Sequence, residues 1–565
     1  MRYFYGRRTC TMGSRRALTL LLAVLSFGVL SAQNVEWIWR LGQEAQGTFD
    51  QPFLLEPDGL GNVYGARTFG GTIDMNGNVL TGSRDIIVAK WNSAGEVLWA
   101  RRVGGPIPMQ LQDNDDVMDI AYDSANDELT VVGTYSSTLE FDHDTLLGGG
   151  LSNEVYMYVA RYAPNGECLW ARRGAGNYVH ASNILVDPSA SIVIFGTSST
   201  GAILQGNPDV VVPGGGFIAE YSSNGDLLGV DNIIANGGIH GSLRLGSSDF
   251  VVSGTDIGSG EFFGVSIPAS GAPSTSFLAR TDLLGEVSWL VPFHSTIAAT
   301  VSEAILIRPD RVVVTGIFYE NLMLATDTLY STPGNRNAFI ACFSLSGDLI
   351  WLDQAVSPMW STTGRGLGTT LDGMFYALCN FAGSLSMDGL TVAESTSNHC
   401  VLAKFDSTGV CRAAMDFGKI VGALGSISPT SEGIFFSCSY DSLCMVGTNA
   451  IDSPIAWSRS TFVAKIDSLV GFTGVQSLGE IGGGALHIYA NPTNGLCTVD
   501  LPESLRISNG LVLSVFDNLG QLVQRAPLEF TDIGLRLDVR AQAKGVYHVE
   551  LGDGIQRYTG TIVFE

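Results

Sequence analysis

The chain has 565 residues, 45% of them hydrophobic and only 15% charged, with 69 Gly and a formal net charge of -24. That balance excludes a coiled coil or a disordered tail, which would carry far more charge, and it suits many short strands joined by Gly turns. The surplus of 55 acidic over 31 basic residues repels a phosphate backbone, so no nucleic-acid partner is expected.

Residues 1–32 read as a signal peptide. Arg7, Arg8, Arg15 and Arg16 give a positive start, Leu18 to Leu30 is almost wholly apolar, and Ser31-Ala32 ends it with small residues. Met12 is an alternative start, since Met12 to Ala32 alone makes a complete signal. The apolar core is too short for a membrane span, and no later stretch is long and apolar enough, so no transmembrane segment is expected in the mature chain.

Residues 33–475 repeat. A short apolar run containing Ala, a polar turn with Gly and an apolar run that often holds Trp recur in order, as in IIVAKWNSAGEVLWARR from Ile86 and YVARYAPNGECLWARR from Tyr158. The shared alanines are Ala89, Ala160, Ala219, Ala279, Ala341, Ala403 and Ala464, separated by 59 to 71 residues. Each period has room for four strands; the second would hold DVMDIAYD, ELTVVGTY, YMYVARYA and ECLWARR, with Pro164-Asn165-Gly166 as a hairpin turn. Four-stranded units of this length point to propeller blades. The seventh copy keeps its third strand, FVAKIDS, but lacks the fourth, whereas Glu36-Trp37-Ile38-Trp39-Arg40 near the N-terminus matches Glu96-Val97-Leu98-Trp99-Ala100. The expectation is an all-β chain: a seven-bladed β-propeller closed by an N-terminal strand, followed by a small C-terminal β-sandwich. Closure removes the open edge that would otherwise invite aggregation.

Trp39, Trp99, Trp170, Trp289 and Trp351 are placed at equivalent positions and expected to pack blade against blade. Gly229 and Arg412 stand there in the third and sixth copies. Gly133, Gly196, Gly254 and Gly316 recur in the second strand, where a missing side chain allows close approach; Cys379 and Cys438 take that place in the last two copies. Eight Cys remain after the signal, and an exported chain can oxidise them; Cys438 with Cys444 is the pair singled out, being close in sequence across a turn. Asp113, Asp115, Asp116 and Asp119 cluster at the entry to the second blade, and Asp142 and Asp144 lie in one of its loops. Such oxygen ligands suit calcium, but DNDDVMD lacks the order of an EF-hand loop, and a solvated acidic loop is the blander reading. No other cofactor is expected.

After a linker over 476–484, residues 485–565 change composition and period. Strand-like segments alternate with turns at Asn494-Gly495, Asn518-Leu519-Gly520 and Asp553-Gly554. Three motifs stand in order: Asn491-Pro492-Thr493-Asn494-Gly495, Asp517-Asn518-Leu519-Gly520 and Gly545-Val546-Tyr547. On these residues the segment resembles the type A C-terminal sorting domain of the Bacteroidetes type IX secretion system, with Asn491, Pro492, Gly495, Asp517, Gly520, Gly545 and Tyr547 carrying the motif. Ala490 stands where that family commonly has Pro, and Thr561 where it usually has Lys. The resemblance implies the type IX secretion machinery as partner, export across the outer membrane, and release of the cargo or its attachment to the cell surface. The body resembles SBBP-type bacterial β-propeller repeats, a likeness that implies a fold and little function.

No HExxH, GxSxG, P-loop or dinucleotide fingerprint is present, and the His residues are scattered through the repeats. The expectation is a monomeric, non-catalytic module that binds glycan or protein. The long insertions Gly70 to Ser83, Leu146 to Asn153, Gly258 to Ser276 and Tyr440 to Arg459 are its recognition loops in this reading. A structural or adhesive component without a small ligand is the alternative. A hydrolase or lyase would need a funnel lined by several carboxylates and a His.

Overall fold

The computed structural model describes residues 35–41, 52–105, 115–148, 154–187, 191–234, 237–246, 249–258, 260–268, 274–331, 334–356, 362–370, 373–387, 390–419, 425–440, 444–446, 449–451, 460–467, 472–473, 486–500, 511–517, 522–526, 529–531, 534–552 and 557–565. The expected signal peptide and linker lie outside these residues, as do Asp113 and Gly520. Every element among them is a strand, and the chain divides into two units, Met1–Val475 and Gln476–Glu565.

Each sequence repeat of the first unit forms one antiparallel four-stranded core; a hairpin from the next repeat extends the second to a six-stranded sheet, and a hairpin plus the parallel strand Phe472–Thr473 extend the sixth to a seven-stranded one. In the second sheet the strands are Asp116–Asp123, Glu128–Tyr135, Tyr156–Tyr162 and Cys168–Ala175, paired in that order. Their third strand alternates poorly because both faces are buried, as its burial from Met157 to Tyr162 shows. The first strands of the seven sheets are Leu54–Pro57, Asp116–Asp123, Val179–Val186, Gly237–Arg244, Ala298–Arg308, Thr363–Thr369 and Ser426–Thr430. Each contacts the first strand of the next sheet, and Ser426–Thr430 in turn contacts Leu54–Pro57. The seventh sheet takes its fourth strand from the other end of the described chain: Val35–Arg40 pairs antiparallel with Ser460–Ile466.

That pairing corrects the register read from the sequence. Trp37, not Trp39, lies opposite Lys465, as Trp99 lies opposite Lys90 and Trp170 opposite Arg161. The indole N–H of Trp37 donates to the Ser93 carbonyl at 2.9 Å, and those of Trp99, Trp170, Trp289 and Trp351 donate to Pro164, Ser223, Leu345 and Ser407. Each acceptor sits in the last hairpin turn of the following sheet, and the ring covers that turn's glycine. A Cβ on Gly166, whose φ is +83°, would come within 2.6 Å of the Trp99 ring. Trp39 packs one residue pair further along, edge-on to Trp91 and Phe53 of the first sheet.

A second repeated contact escaped the sequence reading. The residue after the shared Ala is often a buried cation that meets the turn joining the first two strands. Lys90 reaches Asp58 at 3.1 Å, and the guanidinium of Arg161, fully buried, is ion-paired with Asp123 and Glu128. Burial alone would raise the Asp123 carboxyl, but Asn126, the Ala125 amide and Arg161 outweigh it and hold the group below its ordinary range.

The connections between second and third strands form hairpins that reach the fourth strand of the preceding sheet. Glu140 bonds Gly104, Ala202–Leu204 pairs with Cys168–Ala175, and the Phe263 amide donates to the Ile233 carbonyl. Further round, Met323 pairs with His294, Ser386 with Val356 and Cys444 with Gly418. Two of the long insertions, Gly258 to Ser276 and Tyr440 to Arg459, therefore have described backbone engaged in joining sheets, while Gly70 to Ser83 pairs within its own hairpin.

The second unit consists of two four-stranded sheets that share one core, in which Val499, Leu513, Val515, Leu535, Leu537 and Leu551 are buried.

Candidate functional site

The first strands carry the site. In five of them a β-bulge breaks the ladder and leaves one residue without a cross-strand partner: Met118, Ser182, His240, Ser302 and Gly366. A bulge bends its strand and re-aims the side chains beside it. All five residues line one cavity of about 550 Å³, together with Leu54 and Glu56 of the first sheet and Ser426 and Ile427 of the seventh. Every sheet of the first unit thus contributes to its wall.

Three carboxyl groups and one imidazole meet there: Glu56, Asp119, Glu303 and His240. Asp119 and Glu303 directly follow their bulges, and each spans to the next first strand. Asp119 accepts from the amides of Ile184 and Ile120 at 2.9 Å, and Glu303 accepts from the Leu367 amide at 2.9 Å. Glu56 has no hydrogen-bond partner among the described residues and faces the cavity. Burial, followed by the charge of Asp119, raises its carboxyl from 4.5 to about 8. Burial also raises Asp119 to about 6, against the pull of its amide donors. Neutral carboxyls both donate and accept hydrogen bonds, so the pair can hold hydroxyl groups, pass a proton, or attract a cation once ionised. His240 bonds Thr255 at 3.0 Å and stays exposed.

The residues chosen from the acidic cluster do not converge. Asp116 forms an ion pair with Arg84 at 2.5 Å, Asp115 is buried beneath the second sheet's edge, and only Asp119 enters the cavity. Asp142 and Asp144 accept from the Cys168 and Ala171 amides and so pin a hairpin to its own sheet. Among the described residues no group of three or more His, Cys, Asp or Glu is arranged to hold a metal ion. Cys438 and Cys444 are not bridged. The reason is directional: Cys438 faces Cys400 of the sixth sheet, with a thiol-to-thiol hydrogen bond, whereas Cys444 lies on the hairpin that pairs with Gly418. Glu56 and Glu303, which give the cavity its character, carried no motif; their signal was their place on first strands of repeats far apart in sequence.

In the second unit the Asn-Pro-x-x-Gly turn docks on the last strand. Asn491 donates to the Thr561 carbonyl at 2.7 Å and accepts from the Val563 amide, while Thr493 and Glu565 extend the pairing. The contact uses the carbonyl of residue 561, so the Thr in place of Lys leaves it intact. Gly495, at φ +103°, gives its carbonyl to the Val539 amide, and a side chain there would strike Arg540. Gly545 opens the strand Gly545–Gly552, Tyr547 donates to the Ala543 carbonyl, and Asp517 follows the strand Val512–Phe516.

No curated protein is matched by the sequence. Solved structures give only distant likenesses. A protein of unknown function from Bacteroides caccae is 12% identical, with 65% of this chain and 99% of that one covered at a TM-score of 0.30. A member of the duf4221 family from Bacteroides vulgatus is 9% identical over 76% and 95% at 0.30. An apocarotenoid oxygenase of Synechocystis is 11% identical over 79% and 98% at 0.33. These values carry no assignment. Residues 487–565, by contrast, match the family model of the secretion system C-terminal sorting domain. A sorting domain of this kind implies that the chain is exported through a type IX secretion system to the cell surface or beyond it.

Proposed function

We propose that the first unit is a closed seven-bladed β-propeller of the SBBP-like kind, followed by a sorting sandwich, and that it works outside the cell as a recognition module for glycan. The unbroken succession of contacts between first strands, from Leu54–Pro57 round to Ser426–Thr430 and back, supports the ring. The N-terminal strand in the seventh sheet supports its closure. The observation that carries the functional reading is the cavity walled by all seven sheets, where Glu56, Asp119 and Glu303 gather around about 550 Å³ of space. A carboxyl that holds its proton near neutral pH, as Glu56 does at about 8, bonds sugar hydroxyls without a large charge to desolvate.

A scan of the exported protein on an array of bacterial and host glycans tests this. Saturable binding to one saccharide class, lost in Glu56→Gln and Glu303→Gln, is the expected result. Silence across the array, or binding that both variants retain, would overturn it. A second reading, a glycoside hydrolase or lyase, is favoured by one observation only: Glu56 and Asp119 are pushed to different values, about 8 and about 6, as an acid and a base would be. Turnover of a bound saccharide, abolished by Glu56→Gln, would favour that reading over simple recognition.

A further inference from the structure

We propose that Cys400 and Cys438 form a disulfide in the exported protein, stapling the sixth sheet to the seventh. Cys400 lies on the third strand of the sixth sheet, Leu390–Phe405, and Cys438 on the second strand of the seventh, Gly433–Tyr440. Both are buried, at 0% and 1% exposure, in one core cluster with Leu402, Phe436 and Phe462. The two thiols share a hydrogen bond. The Cys438 sulfur also lies 2.7 Å from where a Cβ of Gly425 would sit, and Leu378 of the sixth sheet meets the same point at 3.1 Å. Cys438 therefore projects across the boundary between sheets rather than along its own.

The place of this pair is what gives it a role. Five of the seven boundaries are held by an indole over a turn glycine: Trp37, Trp99, Trp170, Trp289 and Trp351. At the boundary between third and fourth sheets, where the fourth strand has Gly229, Phe263 covers Gly285 instead. The boundary between sixth and seventh has Ala413 at the Trp position, opposite Lys404, which corrects the Arg412 read there from the sequence; Arg412 is the unpaired residue beside it and turns back to Asp406 of its own hairpin. The same seventh sheet depends on the distant strand Val35–Arg40 for completion. The dithiol sits at a boundary with no indole latch among the described residues, next to Phe417 of the sixth sheet stacked on Phe436 of the seventh at 4.9 Å, and at the sheet that is completed from both ends of the repeat array.

The chemistry requires an oxidant, and a disulfide of a thiol–disulfide oxidoreductase or of oxidised glutathione supplies it in an exporting envelope. One cysteine thiolate attacks the oxidant's sulfur and forms a mixed disulfide. The second cysteine thiolate then displaces the oxidant's other half, so one S–S bond is broken, one is formed, and two thiols leave carrying the protons. Burial and the neighbouring thiol suppress ionisation of Cys400 in the finished fold, so exchange takes place before the seventh sheet closes on the sixth.

The test is peptide mapping of the full chain, refolded with oxidised glutathione and digested without reductant. The expected result is a linked peptide pair joining Cys400 to Cys438, lighter by two hydrogens, retained in Cys444→Ser and lost on reduction. Free, alkylatable Cys400 and Cys438 after oxidative refolding, or a Cys438–Cys444 link, would overturn the proposal. The map is read on the parent protein, so it stands even where Cys400→Ser fails to fold, and it is independent of whether a glycan enters the channel.

Discussion

Replacing Glu56 by Gln is expected to flatten the pH dependence of the body's stability. In the folded protein the Glu56 carboxyl is raised from 4.5 to about 8, chiefly by burial. Between those values the folded state keeps a proton that the unfolded chain has released, so stability is greatest at the acid end and falls as pH rises. The slope is about 1.4 kcal/mol for each pH unit, which bounds the loss at about 5 kcal/mol across the interval. Glu56 keeps partial contact with solvent in the channel, and screening there reduces the expected loss to about 2–3 kcal/mol. For a body of roughly 440 residues the unfolding entropy is about 0.9 kcal/mol per kelvin, so the loss appears as about 2–3 °C in Tm. Calorimetry at about pH 5 and about pH 9 measures it, since ionisation is confined to that window. Glu56→Gln should match the parent at the acid end and exceed it by those few degrees at the alkaline end. Parallel profiles for the two proteins, or a variant less stable at alkaline pH, would refute the view that Glu56 is held protonated in the channel.

Other perturbations probe the frame around that channel. Gly166→Ala forces a Cβ to within 2.6 Å of the Trp99 ring at a φ of +83°, and urea unfolding should show a loss of about 1–3 kcal/mol, with backbone strain and overpacking together. Arg161→Ala strands Asp123 and Glu128 beside an empty buried site; a loss of about 3–5 kcal/mol is expected by the same assay, and an effect below about 1 kcal/mol would show the pair to be dispensable. Removal of residues 487–565 is expected to leave the body folded but trapped in the periplasm, as read by cell fractionation and circular dichroism, and secretion of the truncated chain would deny the tail its sorting role.

The sequence made the repeat legible because the Ala-turn-Trp phrase is tied to one hairpin, and turn glycine and indole are in contact across five of the seven boundaries. It misplaced the closing strand by two residues for a reason built into strands. Trp37 and Trp39 point to the same face, so a two-residue slip changes neither the alternation nor the aromatic content. Only the pairing of Trp37 with Lys465 separates them. The channel was less legible still. Asp119 drew notice as one of four neighbouring aspartates, yet its partner in electrostatics is Glu56, more than sixty residues away in the chain. What selects it over Asp116 is the bulge at Met118, and bulges leave no fixed mark in a sequence.

The insertions shift the weight of the functional argument. Extra length between second and third strands looked like recognition loops, because connections on a rigid scaffold are free to vary. In two of the four insertions the described backbone is tied to the preceding sheet, through Phe263 to Ile233 and Cys444 to Gly418, whereas Gly70 to Ser83 pairs within its own hairpin. A hairpin that must keep such a register has less freedom to adapt to a ligand, and its engaged amides no longer offer themselves as donors. Apolar side chains such as Val79, Val211 and Tyr330 remain exposed on these hairpins, at 65%, 64% and 70%, and are open to contact. The carboxyl groups gather elsewhere, on the first strands of the first, second and fifth sheets, where no hydrogen bond among the described residues satisfies the Glu56 carboxyl. On the proposed function, polar recognition belongs to the cavity between the first strands, and the hairpins tied to a neighbouring sheet serve first to hold the sheets that shape it.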